Sequence, residues 1–276
     1  MYRALAALVR REMIRWFRSP VTIISSIIFP FMYLALFGQA LNLGKFVGRG
    51  GPITAQAAFL GAPNYYSYFS VGMVGFVALT GSLFLGAQVI FDKRLGYVKK
   101  AAVAPIPRMS IFGGRVIAGA IRPILFSGLV IGIALLFAHI NGLNGLTVSG
   151  SLTVLGVGEV AVALLLISIA FSALFLAVGF VLNSPEAYFG IVNIFNLPLL
   201  FTSSALYPTT IMPAWLQSVS SLNPVSMAID VMRENLFSSA AYYPHPPEFY
   251  LGELALFALV ISALAFWVAR RGLTAR

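Results

Sequence analysis

Residues 91–115, FDKRLGYVKKAAVAPIPRMSIFGGR, form a basic island between two long apolar runs. The island holds six of the chain's eighteen Lys and Arg residues and one of its eight acids, Asp92, in a chain that is only 9% charged. Such a segment cannot sit in hydrocarbon, and its sign selects a side of the membrane, because cytoplasmic loops collect Lys and Arg. Hydrophobic residues make up 59% of the 276 positions, and 50–91 carries no charge at all. The apolar character is continuous over twenty residues and more, where barrel strands would alternate over about ten. The composition therefore predicts an all-α integral membrane protein.

Working outward from the island, the apolar runs give six expected transmembrane helices, at 21–41, 65–91, 116–137, 160–182, 187–207 and 250–268, in a single transmembrane domain covering 1–276. Residues 1–18 read as an amphipathic interfacial helix. Tyr2, Leu5, Val9, Met13, Trp16 and Phe17 fall on one side and Arg3, Arg10, Arg11, Arg15 and Arg18 on the other, so the apolar side is expected to enter the headgroup boundary. Pro30 is expected to kink the first span. Arg122, just before Pro123, is expected to snorkel from the third span to the interface. Residues 208–249 are too long for a hairpin loop and are cut by prolines into pieces shorter than a crossing. They predict short re-entrant helices before the last span, with Trp215, Leu216, Asn223 and Pro224 forming an external gate.

Lys and Arg number fourteen before the first span, in the 92–115 loop and after the last span, against Lys45, Arg49 and Arg233 on the other side. That asymmetry places both termini of this multi-pass protein in the cytoplasm and the chain in the cytoplasmic membrane. Net charge of +10 reads as topology and contact with anionic membrane lipid, and no nucleic-acid partner is expected.

None of the four lysines is followed by Ser or Thr, so the chain has no Walker-type phosphate loop and is not expected to be an enzyme. With no cysteine and only His139 and His245, a metal centre is not expected either. Glu159, Glu186 and Glu253 fall at span ends, which leaves a proton or sodium relay without its usual intramembrane acid. The energy source is thus expected to lie in another chain. In the fifth span Gly190, Asn193 and Asn196 share one helix face and read as a substrate path, with packing between helices as the plainer role for the amides. Amides as the polar groups at mid-depth favour a hydrophobic or amphiphilic cargo.

Asp92-Lys93-Arg94-Leu95-Gly96, Ala104-Pro105-Ile106-Pro107-Arg108 and Gly114-Arg115 resemble the cytoplasmic loop of ABC-2 type exporter permeases. Thr202-Ser203-Ser204, Tyr207-Pro208, Met212-Pro213-Ala214-Trp215-Leu216, Asn223-Pro224 and Arg233 match the same family's pattern ahead of its last span. The chain departs from the pattern at Tyr97 and Lys99, where Thr and Glu are common, and at Ser204, where Gly is common. The resemblance implies the transmembrane permease subunit of an ATP-binding cassette exporter for drug-like or lipid-like substrates; the alternatives are a lipid-linked glycan exporter and a non-transporting assembly protein. It implies a second copy of the chain and two copies of a separate ATPase, with ATP and Mg held by that partner and no cofactor by this chain. ATPase coupling would fall to Asp92, Arg94, Gly96, Tyr97, Val98, Lys99, Lys100, Pro105 and Arg108, with the turn at Ser184 and Glu186 as a second contact.

Overall fold

The computed structural model describes residues 2–40, 55–97, 108–148 and 152–274, and among them the chain is helical, with no strand. Helix α1 (Tyr2–Phe17) is followed at Pro20 by α2 (Pro20–Met32), which continues through a π-helical stretch, Tyr33–Phe37, to Ala40. Pro30 lacks an N–H and its ring crowds the preceding turn, and the helix resolves this by widening just after it. Then come α3 (Tyr65–Gly81), α4 (Leu83–Arg94), α5 (Arg108–Phe137), α6 (Val154–Val181), α7 (Pro185–Phe201), α8 (Ala214–Ser221), α9 (Pro224–Phe237) and α10 (Pro247–Thr274).

Side-chain caps start several of these helices. Asn64, Thr153, Ser184 and Asn223 each accept a hydrogen bond from a backbone N–H of the first turn, and Pro185 and Pro224 occupy the position where a missing N–H costs nothing. At the other end of α9, Ser238 takes a left-handed conformation (φ 49°) and closes the helix.

Among the described residues, four helical stretches are long and apolar enough to cross a membrane: Tyr65–Arg94, Ser110–Phe137, Val154–Val181 and Pro247–Arg271. The first comprises α3 and α4, joined at Ser82, where Ser82 Oγ donates to the Ala78 carbonyl (3.3 Å) and Thr80 Oγ1 to that of Phe76 (2.9 Å). Such back-bonding bends helices. The expected fifth span differs: α7 ends at Phe201, and its 17 residues reach about 25 Å at 1.5 Å per residue. The third expected span begins earlier than read, because 108–115 of the basic island is the first two turns of α5, with Ser110, Ile111, Phe112 and Arg115 buried.

Helix α6 is the hub, packed against α3, α4, α5, α9 and α10. It is apolar nearly all round, one part buried among these helices while Val154, Leu155, Val157, Val162 and Leu165 stand exposed. Its crossing with α4 is made by Gly86 and Gly179, each of which has the other's backbone, or that of Phe175, where a Cβ would stand. Helix α9 begins deep. Val225 and Ile229 meet α3 at Gly75, ten residues in from the start of α3 at Tyr65, about 15 Å along its axis. α9 then runs back toward the end where α3 and α6 begin, and Asn235 Nδ2 donates to Glu159 Oε2 (2.8 Å).

Two sequence expectations are corrected here. Helix α1 does not present its apolar side to a boundary alone: Trp16 is buried edge-on against Phe126 of α5 (ring centres 5.3 Å apart), and Leu5 and Leu8 lie over Gly113 and Gly114. Arg122 does not reach outward: it is 4% exposed, because α1 covers α5 there and brings Glu12 to it. Beyond these, Asp92, Glu12 and Glu234 are buried and Asp230 is largely enclosed, acids that the sequence reading of Glu159, Glu186 and Glu253 at span ends did not weigh.

Candidate functional site

At the basic end, Asp92 in the last turns of α4 is 3% exposed and holds two arginines from different helices. Arg15 Nη1 of α1 donates to its Oδ1 (2.9 Å) and Arg115 Nη2 of α5 to its Oδ2 (2.6 Å). One turn deeper, Glu12 does the same work in reverse. Its carboxylate lies 3.1 Å from Arg11 Nη1 and 3.5 Å from Arg122 Nη2, while Arg122 also donates to the Glu12 carbonyl (3.2 Å) and to Gln88 Oε1 of α4 (3.1 Å). Charges this enclosed are tolerable only when paired and hydrogen-bonded. The pairing fastens α1, α4 and α5 together.

A second tie runs from α4 to α6. Lys93 Nζ donates to the carbonyls of Gly179 (3.2 Å), Phe180 (2.7 Å) and Leu182 (2.7 Å), the open C-terminal carbonyls of α6, where a cation is favoured. Arg94 Nη2 reaches the Asn183 carbonyl (3.3 Å) in the turn that leads to Ser184, whose Oγ donates to Glu186 Oε2 (2.6 Å). The expected coupling residues Asp92, Arg94, Ser184 and Glu186 are therefore brought together, but in different capacities. Asp92 is an internal strut, whereas Arg94, Leu95, Asn183 and Glu186 are exposed. Tyr97 is half-buried under the Arg11 guanidinium, 3.8 Å from the ring centre. Gly96 has φ +69° with open space around its Cβ position, so its backbone rather than crowding requires glycine. Val98, Lys99, Lys100 and Pro105 lie outside the described residues, as does the expected helix to 103; Arg108 opens α5, its side chain not described.

Farther along, a cavity of about 370 Å³ lies among α2, α3, α4, α5 and α7, walled by Phe29, Pro30, Phe76, Thr80, Phe84, Phe126, Asn193 and Asn196. Asn196 is 7% exposed and its Oδ1 has no hydrogen-bond partner. Gly190 does not contribute to the walls. Of the expected gate residues, Asn223 is buried and joins α9 to the end of α7: its Nδ2 donates to the Leu199 carbonyl (2.8 Å) and to Thr202 Oγ1 (3.0 Å). Trp215 is 68% exposed and Leu216 half-buried on α8, with Pro224 buried at the first position of α9.

No cluster of three metal-ligating side chains occurs among the described residues, and the arrangement supplies struts and a cavity rather than a nucleophile and a base. A model of the family described as ABC-2 type transporter matches residues 3–237. The chain belongs to that family. The ABC-2 family is a membrane permease component of ABC transporters, which work with an ABC ATPase. Among similar curated proteins is the putative transport permease ycf38 of Porphyra purpurea, 33% identical over 82% of this chain and 72% of the relative. The daunorubicin resistance ABC transporter permease protein DrrB1 of Streptomyces coeruleorubidus is 22% identical over 84% of this chain and 75% of the relative. The probable doxorubicin resistance ABC transporter permease protein DrrC of Mycobacterium tuberculosis is 26% identical over 81% and 73%. For this ABC-2 permease, Glu12, Gln88 and Asp230 are the residues that sequence reasoning passed over. The signal for Glu12 was available: it is the one acid among five arginines in residues 1–18.

Proposed function

We propose that the chain is the membrane permease of an ATP-driven exporter for hydrophobic or amphiphilic molecules, working as two copies with two copies of a separate ATPase. In this reading the basic end faces the cytoplasm with both termini, α2 and α7 complete six spans, and α8 with the deep start of α9 forms a re-entrant element. The observation that carries the proposal is the bridging of the two basic-end segments by Lys93 and Arg94, which tie the end of α4 to the α6–α7 turn. A partner gripping Leu95 and Glu186 would displace α1, α4, α5 and α6 together and so reshape the cavity at Asn196. Helix α7 supports the second copy, because Ile194, Phe195, Leu197 and Phe201 stand exposed along it. The two drug-resistance relatives support the cargo class.

The test is co-expression with the candidate ATPase and recovery of both chains in mild detergent. Asn193→Leu and Asn196→Leu are expected to leave that complex intact while changing substrate-stimulated ATP turnover several-fold; unchanged stimulation in both leaves the amides only packing, worth about 0.6 kcal/mol each. Gly96→Val is expected to lower transport per ATP, since a β-branched residue at positive φ costs roughly 1–2 kcal/mol. Gly96→Asn, which tolerates that conformation, is expected to retain it. Equal failure of both variants would trace the effect to the missing space for a partner instead of the backbone.

One observation favours a second reading, a secondary transporter: Asp230 and Glu234 lie among the helices, where an ion relay would need them.

A further inference from the structure

At the end opposite the basic cluster, a cavity of about 220 Å³ opens between α8, α9 and the start of α10. Its walls include Gln217, Met227, Asp230, Tyr242, Tyr243 and Tyr250. Asp230 is held by the Ser204 hydroxyl, which donates to its Oδ1 (2.9 Å), and its side chain remains 15% exposed. The nearest cation, Arg233, stands 3.9 Å from Asp230 Oδ1, too far for a hydrogen bond. Its guanidinium is engaged elsewhere. Nη1 donates to the Ser204 carbonyl (2.8 Å), Nη2 to that of Tyr68 (3.0 Å), and the group stacks 3.4 Å from the centre of the Tyr68 ring with no exposed surface. The walls of the cavity thus offer one carboxylate, tyrosine rings and hydroxyls, and no cationic side chain. The Tyr243 hydroxyl is buried with no partner. Glu234, four residues along α9 from Asp230, is 5% exposed and leaves Oε2 unpartnered.

We propose that this cavity binds an organic ammonium group. A carboxylate beside aromatic faces, in a partly enclosed cavity, attracts ammonium by charge and by the ring quadrupoles together. An anion or a neutral sugar gains neither. The volume is below the ~300–1,000 Å³ of pockets that enclose a drug-sized molecule, so the ligand is a small amine or the ammonium head of an amphiphile whose tail stays outside.

The chain has no cysteine, so single thiols report cleanly. Gln217→Cys in the cavity wall and Ser218→Cys on the exposed side of the same helix would be placed in full-length protein in phosphatidylglycerol nanodiscs, which leave both ends accessible. At pH 8, each would be labelled with a trimethylammonium and a sulfonate methanethiosulfonate, with rates normalised to a free thiol. The Gln217→Cys site is expected to favour the cationic reagent about tenfold more than the Ser218→Cys site does, within the range of electrostatic focusing. Adding Asp230→Asn is expected to remove that preference; Arg233 keeps its carbonyl partners, and an unchanged Ser218→Cys labelling rate and monodisperse elution in the same background show that the fold is retained. Millimolar butylammonium is expected to slow labelling of Gln217→Cys severalfold, and Tyr242→Leu, at a half-exposed residue, to weaken this protection. Protection in phosphatidylethanolamine nanodiscs without added amine identifies a lipid headgroup as the ligand; protection only by butylammonium identifies a free amine. No charge preference, a preference that survives Asp230→Asn, or no protection by either amine source would overturn the proposal.

Discussion

Arg233→Met is expected to destabilise the protein by about 3–5 kcal/mol, the cost of breaking a buried charged network by removing one member. The side chain fits by volume, but the carbonyls of Tyr68, Ser204 and Ala205 lose the guanidinium donors in a fully buried place, Ser204 keeping the Tyr68 hydroxyl (2.7 Å), and Asp230 loses the nearest cation among the described residues. These contacts hold the irregular stretch after α7 against α3 and α9, so the loss is cooperative. Denaturant unfolding in a fixed detergent measures it. The double variant Asp230→Asn/Arg233→Met is expected to recover only the carboxylate's share, giving a coupling energy between the two positions. A single-variant loss under about 0.5 kcal/mol, ordinary for surface substitutions, would contradict the placement of Arg233.

The second large effect is expected at Asp92. Asp92→Ala leaves Arg115, 4% exposed, without its carboxylate, and the expected loss is again about 3 kcal/mol or more. Arg15→Ala removes the other arm of the same carboxylate, but the Arg15 side chain is 41% exposed and solvent screens it, so about 0–1 kcal/mol is expected. Hydrogen exchange separates the two. Amides of α1 are expected to exchange markedly faster in Asp92→Ala, with transport per ATP falling in parallel, and only slightly faster in Arg15→Ala. Similar small changes in both would mean that Trp16 packing alone, and not the ion-pair strut, secures α1.

The helical class was legible because apolar length needs no tertiary information: 65–91 runs across α3 and α4, 160–182 overlaps α6 to its end at Val181, and 250–268 lies inside α10. The pieces cut by proline in 208–249 were legible too, since Pro213 and Pro224 stand immediately before and at the starts of α8 and α9. Boundaries failed at the island, where Pro105 and Pro107 and the charges masked the helical character of 108–115. The charged side chains were misread for a different reason. Arg122 looked like a snorkelling residue because nothing local reveals that Glu12, 110 residues earlier, is laid against it. Arg233 entered only as a charge on the outer side and as part of the family pattern, and its burial was not legible because its acceptor at Tyr68 is 165 residues away. Asn193 and Asn196 were found by helical spacing alone, which shows a shared face; that the face meets a cavity walled by Phe29, Phe76 and Phe126 is tertiary.

The central claim, that the chain moves an amphiphilic cargo with energy taken from a separate ATPase through the basic end, is tested most directly in proteoliposomes. Cargo movement would be followed with the chain alone, with the ATPase, and with the ATPase plus a protonophore. The account predicts movement only when both proteins and ATP are present, unaffected by the protonophore and reduced by Gly96→Val. Movement by the chain alone that follows an imposed proton gradient would contradict it and turn attention to Asp230 and Glu234 as the carriers.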